Sequence, residues 1–171
     1  VDAETRIPAL TSGRVDVLFA NITGNLERAK SIDFSIPYLR CGIKMITAAG
    51  SDLHTLEDLN DPSITVSVNR GSTGEALVLE HAPNADIVYV ENFTDSVLQL
   101  EQGKADASFE DNTVVDYAAD QSDKLEAQDG LYTSDPICAA ARKGDLEFVR
   151  YLDMFVSWQI SSGWQAETYQ K

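Results

Sequence analysis

Leu10-Thr11-Ser12-Gly13-Arg14-Val15-Asp16-Val17-Leu18-Phe19-Ala20-Asn21 has a counterpart ninety positions downstream, where Leu10 maps onto Leu100: Leu100-Glu101-Gln102-Gly103-Lys104-Ala105-Asp106-Ala107-Ser108-Phe109-Glu110-Asp111. The two segments agree in chemistry at leucine, glycine, a basic residue, a small apolar residue, aspartate, phenylalanine and a closing Asn or Asp. Each copy reads as a helix ended by glycine, whose missing Cβ permits the left-handed turn, then a strand that emerges on a polar side chain. Ligands of open α/β sheets collect at the carboxyl ends of strands. Asn21 and Asp111 are therefore candidate contacts, aimed at one ligand from opposite sides of a cleft.

Outward from these copies, hydrophobic periodicity predicts a helix over residues 4–10, a strand over 15–20, and a short helix over 26–31 with Asn25 as its N-cap. A strand over 42–48 follows, then a long polar stretch. The order after it is strand 65–68, loop 69–72, helix 73–81, strand 87–90, helix 95–102 and strand 105–109. Residues 137–141 form another strand, and Phe148, Tyr151, Leu152, Phe155 and Trp158 recur at helical spacing. This alternation of strands and helices is the mark of an α/β fold.

Composition narrows the function. The chain has 171 residues, 43% hydrophobic and 24% charged, which suits a folded globular protein rather than a disordered one. Its net charge of −15 repels phosphate backbones and anionic lipid surfaces, so nucleic acid is not an expected partner. No apolar run approaches the roughly 20 residues of a spanning helix, and a chain opening on Val1 is expected to be processed or incomplete. Only His54 and His81 could join Cys41 and Cys138 as soft metal ligands, without zinc spacing, so no metal is expected. Gly-x-Ser-x-Gly and the Gly-Lys-Ser/Thr phosphate loop are both absent. Cys41 and Cys138 form one bridge in an oxidising compartment or act as two small buried hydrophobes; spacing leaves both open.

The motifs Arg6-Ile7-Pro8-Ala9-Leu10, Asn21-Ile22-Thr23, Glu27-Arg28-Ala29-Lys30, Ile32-Asp33-Phe34-Ser35-Ile36-Pro37-Tyr38, Arg70-Gly71-Ser72-Thr73 and Arg142-Lys143-Gly144-Asp145, with the repeated unit, run from end to end. Together they resemble the family 3 solute-binding proteins, the periplasmic amino-acid receptors of ABC importers. The resemblance implies a two-lobe periplasmic-binding-protein-like α/β fold with two crossover strands, closing on a small ligand. It places lobe 1 at residues 1–40 and 139–171 and lobe 2 at 41–138. Lobe 2 looks complete, while lobe 1 lacks the strands with which the family begins. The expectation is a longer polypeptide, or a lobe completed by strand exchange or a dimer contact.

An α-amino acid needs cationic or amide donors for its carboxylate and acceptors for its ammonium, both held away from water. By the resemblance, Arg28 is the carboxylate-binding arginine, whose planar fork makes two parallel hydrogen bonds; apart from its motif it would read as a surface arginine beside Glu27. Asp111 matches the ammonium acceptor and equally suits the N-cap of a following helix, two compatible roles. Thr23 matches a ligand hydroxyl or satisfies its own loop. The loop from Asn69 through Arg70 and Ser72 to Thr73 presents backbone N–H groups at a helix N-terminus, and the resemblance implies that Thr73 grips the carboxylate. Asn69, Arg70 and Asn21 are candidates for side-chain discrimination, although Arg70 could instead pair with Glu75 or face solvent.

The reading is thus a binding protein rather than an enzyme: an extracytoplasmic, periplasmic amino-acid receptor that presents its ligand to a membrane permease, with no cofactor. Two alternatives remain. Some dehydratases of prephenate-like acids share the fold and would use a carboxyl such as Glu110 or Asp111 as general acid. A ligand-sensing receptor domain would differ in what it is attached to.

Overall fold

A computed structural model describes residues 2–169. Residue 1 and residues 170–171, the outermost positions of the expected lobe 1, lie outside the described residues. In chain order the elements are α1 (Arg6–Thr11), β1 (Val17–Thr23), a 3-10 turn at Arg28–Lys30, β2 (Ile32–Cys41), β3 (Ile43–Ala48), β4 (Thr65–Asn69), α2 (Thr73–His81) and β5 (Asp86–Val90). They continue with α3 (Phe93–Glu101), β6 (Ala107–Asp111), α4 (Asn112–Gln121), β7 (Leu125–Ala127), β8 (Asp135–Arg142), α5 (Leu146–Ser161) and α6 (Trp164–Tyr169). The chain divides into two compact units. The first holds Thr5–Arg40 and the chain from Asp135 onward; the second holds Cys41–Ser134, joined by Asp2–Glu4.

The first unit is built on a three-stranded sheet in the order β1, β8, β2. Strand β1 runs antiparallel to β8, with Val17 opposite Ala141 and Thr23 opposite Ile137. One face packs Leu18, Ile22, Ile32 and Ala140 against Leu10 of α1; a second cluster sets Ala139 and Ala141 against Leu152 of α5. Strand β2 is missing from the sequence reading although it is the longest strand in the protein. Pro37 has no N–H to give to a ladder, and it is tolerated here because β2 lies at the sheet edge. The helix expected over 26–31 shrinks to the 3-10 turn. Asn25 still does the expected capping work, its Oδ1 accepting the Arg28 N–H at 2.9 Å.

The motif Arg142-Lys143-Gly144-Asp145 proves to be a structural staple. Arg142 reaches Asp16 and the Val15 carbonyl, and Lys143 Nζ donates to Asp33 at 2.6 Å and to the Ala29 carbonyl at 2.8 Å. The Gly144 N–H donates to Asp33 at 2.7 Å, and Asp145 caps α5 through the Phe148 N–H. The Lys143 bond, followed by the Gly144 N–H, holds the Asp33 carboxyl below its ordinary value. A depressed carboxyl stabilises the fold above the unfolded-state value of about 4 and loses that contribution as pH falls through the folded value. Asp33→Asn should therefore lower the melting temperature at neutral pH and flatten its decline on the acid side. An unchanged acid limb would exclude this pair as a source of stability.

Both cysteines are buried thiols, Cys41 at the end of β2 and Cys138 in β8. Burial pushes the Cys138 thiol up, which makes it a poor nucleophile in the native state. Phe19, Tyr38, Phe155, Ile160 and Trp164 line an apolar groove in this first unit, with Trp164 55% and Phe19 48% exposed.

The second unit holds a five-stranded sheet in the order β5, β4, β6, β3, β7. Strand β4 is parallel to β5 and β6, whereas β3 is antiparallel to β6 and β7. Alternate residues sort to opposite faces. Met45, Val66, Val68, Ala107 and Phe109 pack with Val78 and Ala82 of α2, while Ile46, Leu100, Ala105, Val115 and Leu125 form a separate cluster.

The two copies of the repeat fold alike. In one, Gly13 donates to Leu10 O, Arg14 to Ala9 O and Val15 to Ala9 O; in the other, Gly103 donates to Leu100 O, Lys104 to Gln99 O and Ala105 to Gln99 O. Both glycines are left-handed, at φ 77° and 63°. Those bonds occupy the backbone just past each helix, so β1 and β6 begin two residues later than the expected 15 and 105.

Candidate functional site

In the first unit the candidate residues cluster at the carboxyl end of β1. Asn21 has φ 48°, the only described non-glycine residue in the left-handed region, and sits where the pairing with β8 shifts register between Leu18 and Ile22. Asparagine tolerates that conformation better than most residues, which gives its identity a backbone reason beside any ligand role. Arg6 Nη1 donates to the Ala20 carbonyl at 2.7 Å and so pins this irregular stretch. Thr23 closes the strand and is only 4% exposed. Arg28 is half-buried, and its Nη1 donates to the Thr23 carbonyl at 3.0 Å, so the guanidinium is held at the strand end rather than swinging from an exposed turn.

In the second unit β4 feeds its loop into α2. Gly71 takes the left-handed turn at φ 75°. Ser72 is the N-cap of α2, its oxygen accepting the Glu75 N–H at 3.0 Å, while the Glu75 carboxylate accepts the Gly71 N–H at 2.5 Å. That reciprocal arrangement fixes the helix start. It also engages the Ser72 oxygen and removes Glu75 as a partner for Arg70. The Arg70 guanidinium lies instead over the Tyr89 ring, 3.7 Å from its centroid, with Glu4 at 4.0 Å. Thr73 opens the helix, where the first N–H groups have no intrahelical acceptor and the helix dipole favours an anion.

Gly74 brings this helix start onto the end of β6: a Cβ there would stand 3.0 Å from the Phe109 carbonyl oxygen. Two residues past Phe109, Asp111 is 3% exposed and occupies the N-cap position of α4 without its side chain capping the helix. Its expected capping role is therefore not taken up. Asn112 ties the start of α4 to Gly42, its N–H donating to the Gly42 carbonyl at 2.9 Å and its Oδ1 accepting the Gly42 N–H at 3.0 Å. A buried carboxylate and a helix N-terminus thus lie at the ends of neighbouring elements.

Asn69 and Glu110 form a pair that spacing along the chain does not reveal, since 41 positions separate them. Parallel pairing of Val66 with Ala107 and of Ser67 with Ser108 carries Asn69 alongside Glu110. Asn69 Nδ2 donates to Glu110 Oε2 at 3.1 Å, and the Asp111 N–H donates to Glu110 Oε1 at 3.2 Å. Sequence reasoning considers Glu110 only as an acid for the enzymatic alternative. Its position beside Asp111 is the one signal that marks it.

These features can be set against known proteins. The chain is 30% identical over 171 residues to the ABC transporter glutamine-binding protein GlnH of Bacillus subtilis (strain 168), covering 100% of this chain and 62% of that protein. The chain therefore spans under two thirds of that relative's length. A cyclohexadienyl dehydratase of Pseudomonas aeruginosa is 38% identical over 101 residues, 57% of this chain and 37% of its own length. Among solved structures, the ancestral amino acid-binding protein AncCDT-1, a precursor of cyclohexadienyl dehydratase, superposes with a TM-score of 0.93 at 30% identity, covering 99% of this chain and 74% of that one. The fold is the two-lobe periplasmic-binding-protein α/β architecture. With the model of the bacterial extracellular solute-binding proteins, family 3, matching residues 1–171, the chain belongs to that family.

Proposed function

We propose that this chain is the binding part of a periplasmic amino-acid receptor that delivers its ligand to the permease of an ABC importer and catalyses no covalent step. The first unit is read as lobe 1 and the second as lobe 2. Arg28 takes the α-carboxylate, with Thr73 adding an N–H donor at the start of α2, while Asp111 takes the ammonium and Thr23 and Asn21 line the ligand. The observation that carries this reading is that each unit holds one fixed charge at a strand end. A guanidinium is anchored to the Thr23 carbonyl, and a carboxylate is kept 3% exposed at the end of β6. A fixed guanidinium suits a carboxylate and a buried carboxylate suits an ammonium, the two charges of an amino acid. The glutamine-binding relative supports the same class of ligand.

A thermal-shift screen of the full-length protein against the common L-amino acids tests the proposal. A ligand at 100 times its dissociation constant adds about 2.7 kcal/mol, a shift of a few degrees for a protein of this size. No shift with any of them would overturn it.

The dehydratase relative supports a second reading, in which Glu110 or Asp111 acts as a general acid on a prephenate-like substrate. Turnover followed by ultraviolet absorbance would favour that reading over the first. The apolar groove in the first unit is a surface that further polypeptide would cover, from the same chain or through strand exchange or a dimer contact. Sedimentation of the full-length protein separates those cases.

A further inference from the structure

Glu110 bridges the ends of two strands, and its bearing on ligand binding rests on the reading just proposed. The ladder between β4 and β6 sets Val66 beside Ala107 and Ser67 beside Ser108. Successive side chains of a strand turn to opposite faces of the sheet. Ala107 and Phe109 pack with Val78 and Ala82 of α2, so Asp111 belongs to the α2 face of β6. Ser108 and Glu110 belong to the other face, beside Ser67 and Asn69 of β4 and Lys44 and Ile46 of β3. There Ile46 packs with Val115 of α4. Glu110 and Asp111 are neighbours in the chain that point to opposite sides, and their roles separate.

On its own face the Glu110 carboxylate joins two segments. One oxygen accepts Asn69 Nδ2 at 3.1 Å, from the end of β4, and the other accepts the Asp111 N–H at 3.2 Å. Two residues back along each strand, Ser108 Oγ donates to the Ser67 carbonyl at 2.8 Å, and Lys44, the cross-strand partner of Glu110, bonds Asp116 of α4 at 2.6 Å. At Asn69, β4 passes into the loop that leads to Thr73, and Gly74 sets the start of α2 against the Phe109 carbonyl. The bridge therefore fixes the root of this loop against the backbone of Asp111. An α-amino acid carries its carboxylate and its ammonium on one carbon, so the groups that receive them must keep one spacing. A frame that keeps it before the ligand arrives spares the cost of ordering those groups on binding.

We infer that Glu110 is a positioning residue: its carboxylate, shared between Asn69 and the Asp111 N–H, holds the ammonium acceptor at a fixed spacing from the loop that ends on Thr73, and so supports binding of the amino-acid backbone whatever the ligand's side chain. Two variants separate the bridge from the charge. Glu110→Ala removes both acceptors. Glu110→Gln keeps two bonds without the charge: its carbonyl takes the Asp111 N–H, and its amide donates to Asn69 once the Asn69 amide turns over. That turn breaks no other bond, because Asn69 Oδ1 is buried with no hydrogen-bond partner among the described residues. Titration calorimetry of the full-length protein and both variants with each of the common L-amino acids gives the test. For every amino acid that the parent binds, Glu110→Ala should weaken binding at least tenfold, by factors that agree within twofold, and Glu110→Gln should stay within threefold of the parent. If Glu110→Ala fails to fold, Asn69→Ala breaks the bridge from the other strand with the same expected loss. A smaller loss on breaking the bridge, a Glu110→Gln variant that falls beyond threefold, or losses that differ with the ligand's side chain would overturn the inference while leaving amino-acid binding intact. Binding of no amino acid by the parent would overturn the receptor reading, and the inference with it.

Discussion

Asp111→Asn should abolish most amino-acid binding while leaving the fold in place. The substitution keeps the shape of a side chain 3% exposed at the end of β6 and removes only its charge. The α-ammonium then loses its counter-ion in a shielded site, a truncation that costs about 2–5 kcal/mol in comparable buried pairs, or roughly thirtyfold to a few thousandfold in affinity. Because the Asp111 side chain does not cap α4, the substitution leaves that helix start intact. Calorimetry and a urea melt together check both halves of the expectation. Affinity within threefold of the parent would remove Asp111 from the site. Arg28→Lys is the companion test: one mobile ammonium replaces the fork, and binding should fall at least tenfold.

Gly42→Ala should give the largest loss of stability. The glycine joins β2 to β3, and an added Cβ would overlap the Thr133 carbonyl oxygen and press on Leu131. Neither the backbone oxygen nor the strand can yield easily, because Gly42 is bonded through its N–H and its carbonyl to Asn112 at the start of α4. Overpacking of this kind costs about 1–3 kcal/mol, and a clash with backbone belongs at the upper end. The urea midpoint of the full-length protein should fall accordingly, with the slope of the transition unchanged. Asp111 immediately precedes Asn112, so the same variant should also weaken the ligand. An unaltered midpoint would mean that the 131–133 segment moves aside freely.

Much of the second unit could be read directly from residue patterns. Val66 and Val68 alternate with Ser67 and Asn69, Ser72 and Glu75 announce the start of α2, and Gly103 ends α3 as expected. These signals are local, and local physics decides them. Strand β2 was not legible because Pro37 breaks the usual strand pattern, and only sheet order explains why it is harmless there. The short helix expected after Asn25 is a 3-10 turn of three residues, enough to use the Asn25 Oδ1 bond to the Arg28 N–H.

The candidate site divides along the same line. Arg28 and Thr23 are joined by a contact over five positions, short enough for a motif to carry. Asn69 and Glu110 meet only because β4 and β6 are parallel neighbours, a pairing that no spacing along the chain encodes. Arg70 and Ser72 show the converse. Both stand in a loop with the right residue types, yet the first goes to Tyr89 and the second to the helix cap.

A crystal structure of the full-length protein with its amino acid bound tests the central claim most directly. The account predicts the α-carboxylate within about 3 Å of the Arg28 guanidinium and the ammonium at the same distance from the Asp111 carboxylate. A ligand that touches neither of these side chains would contradict it.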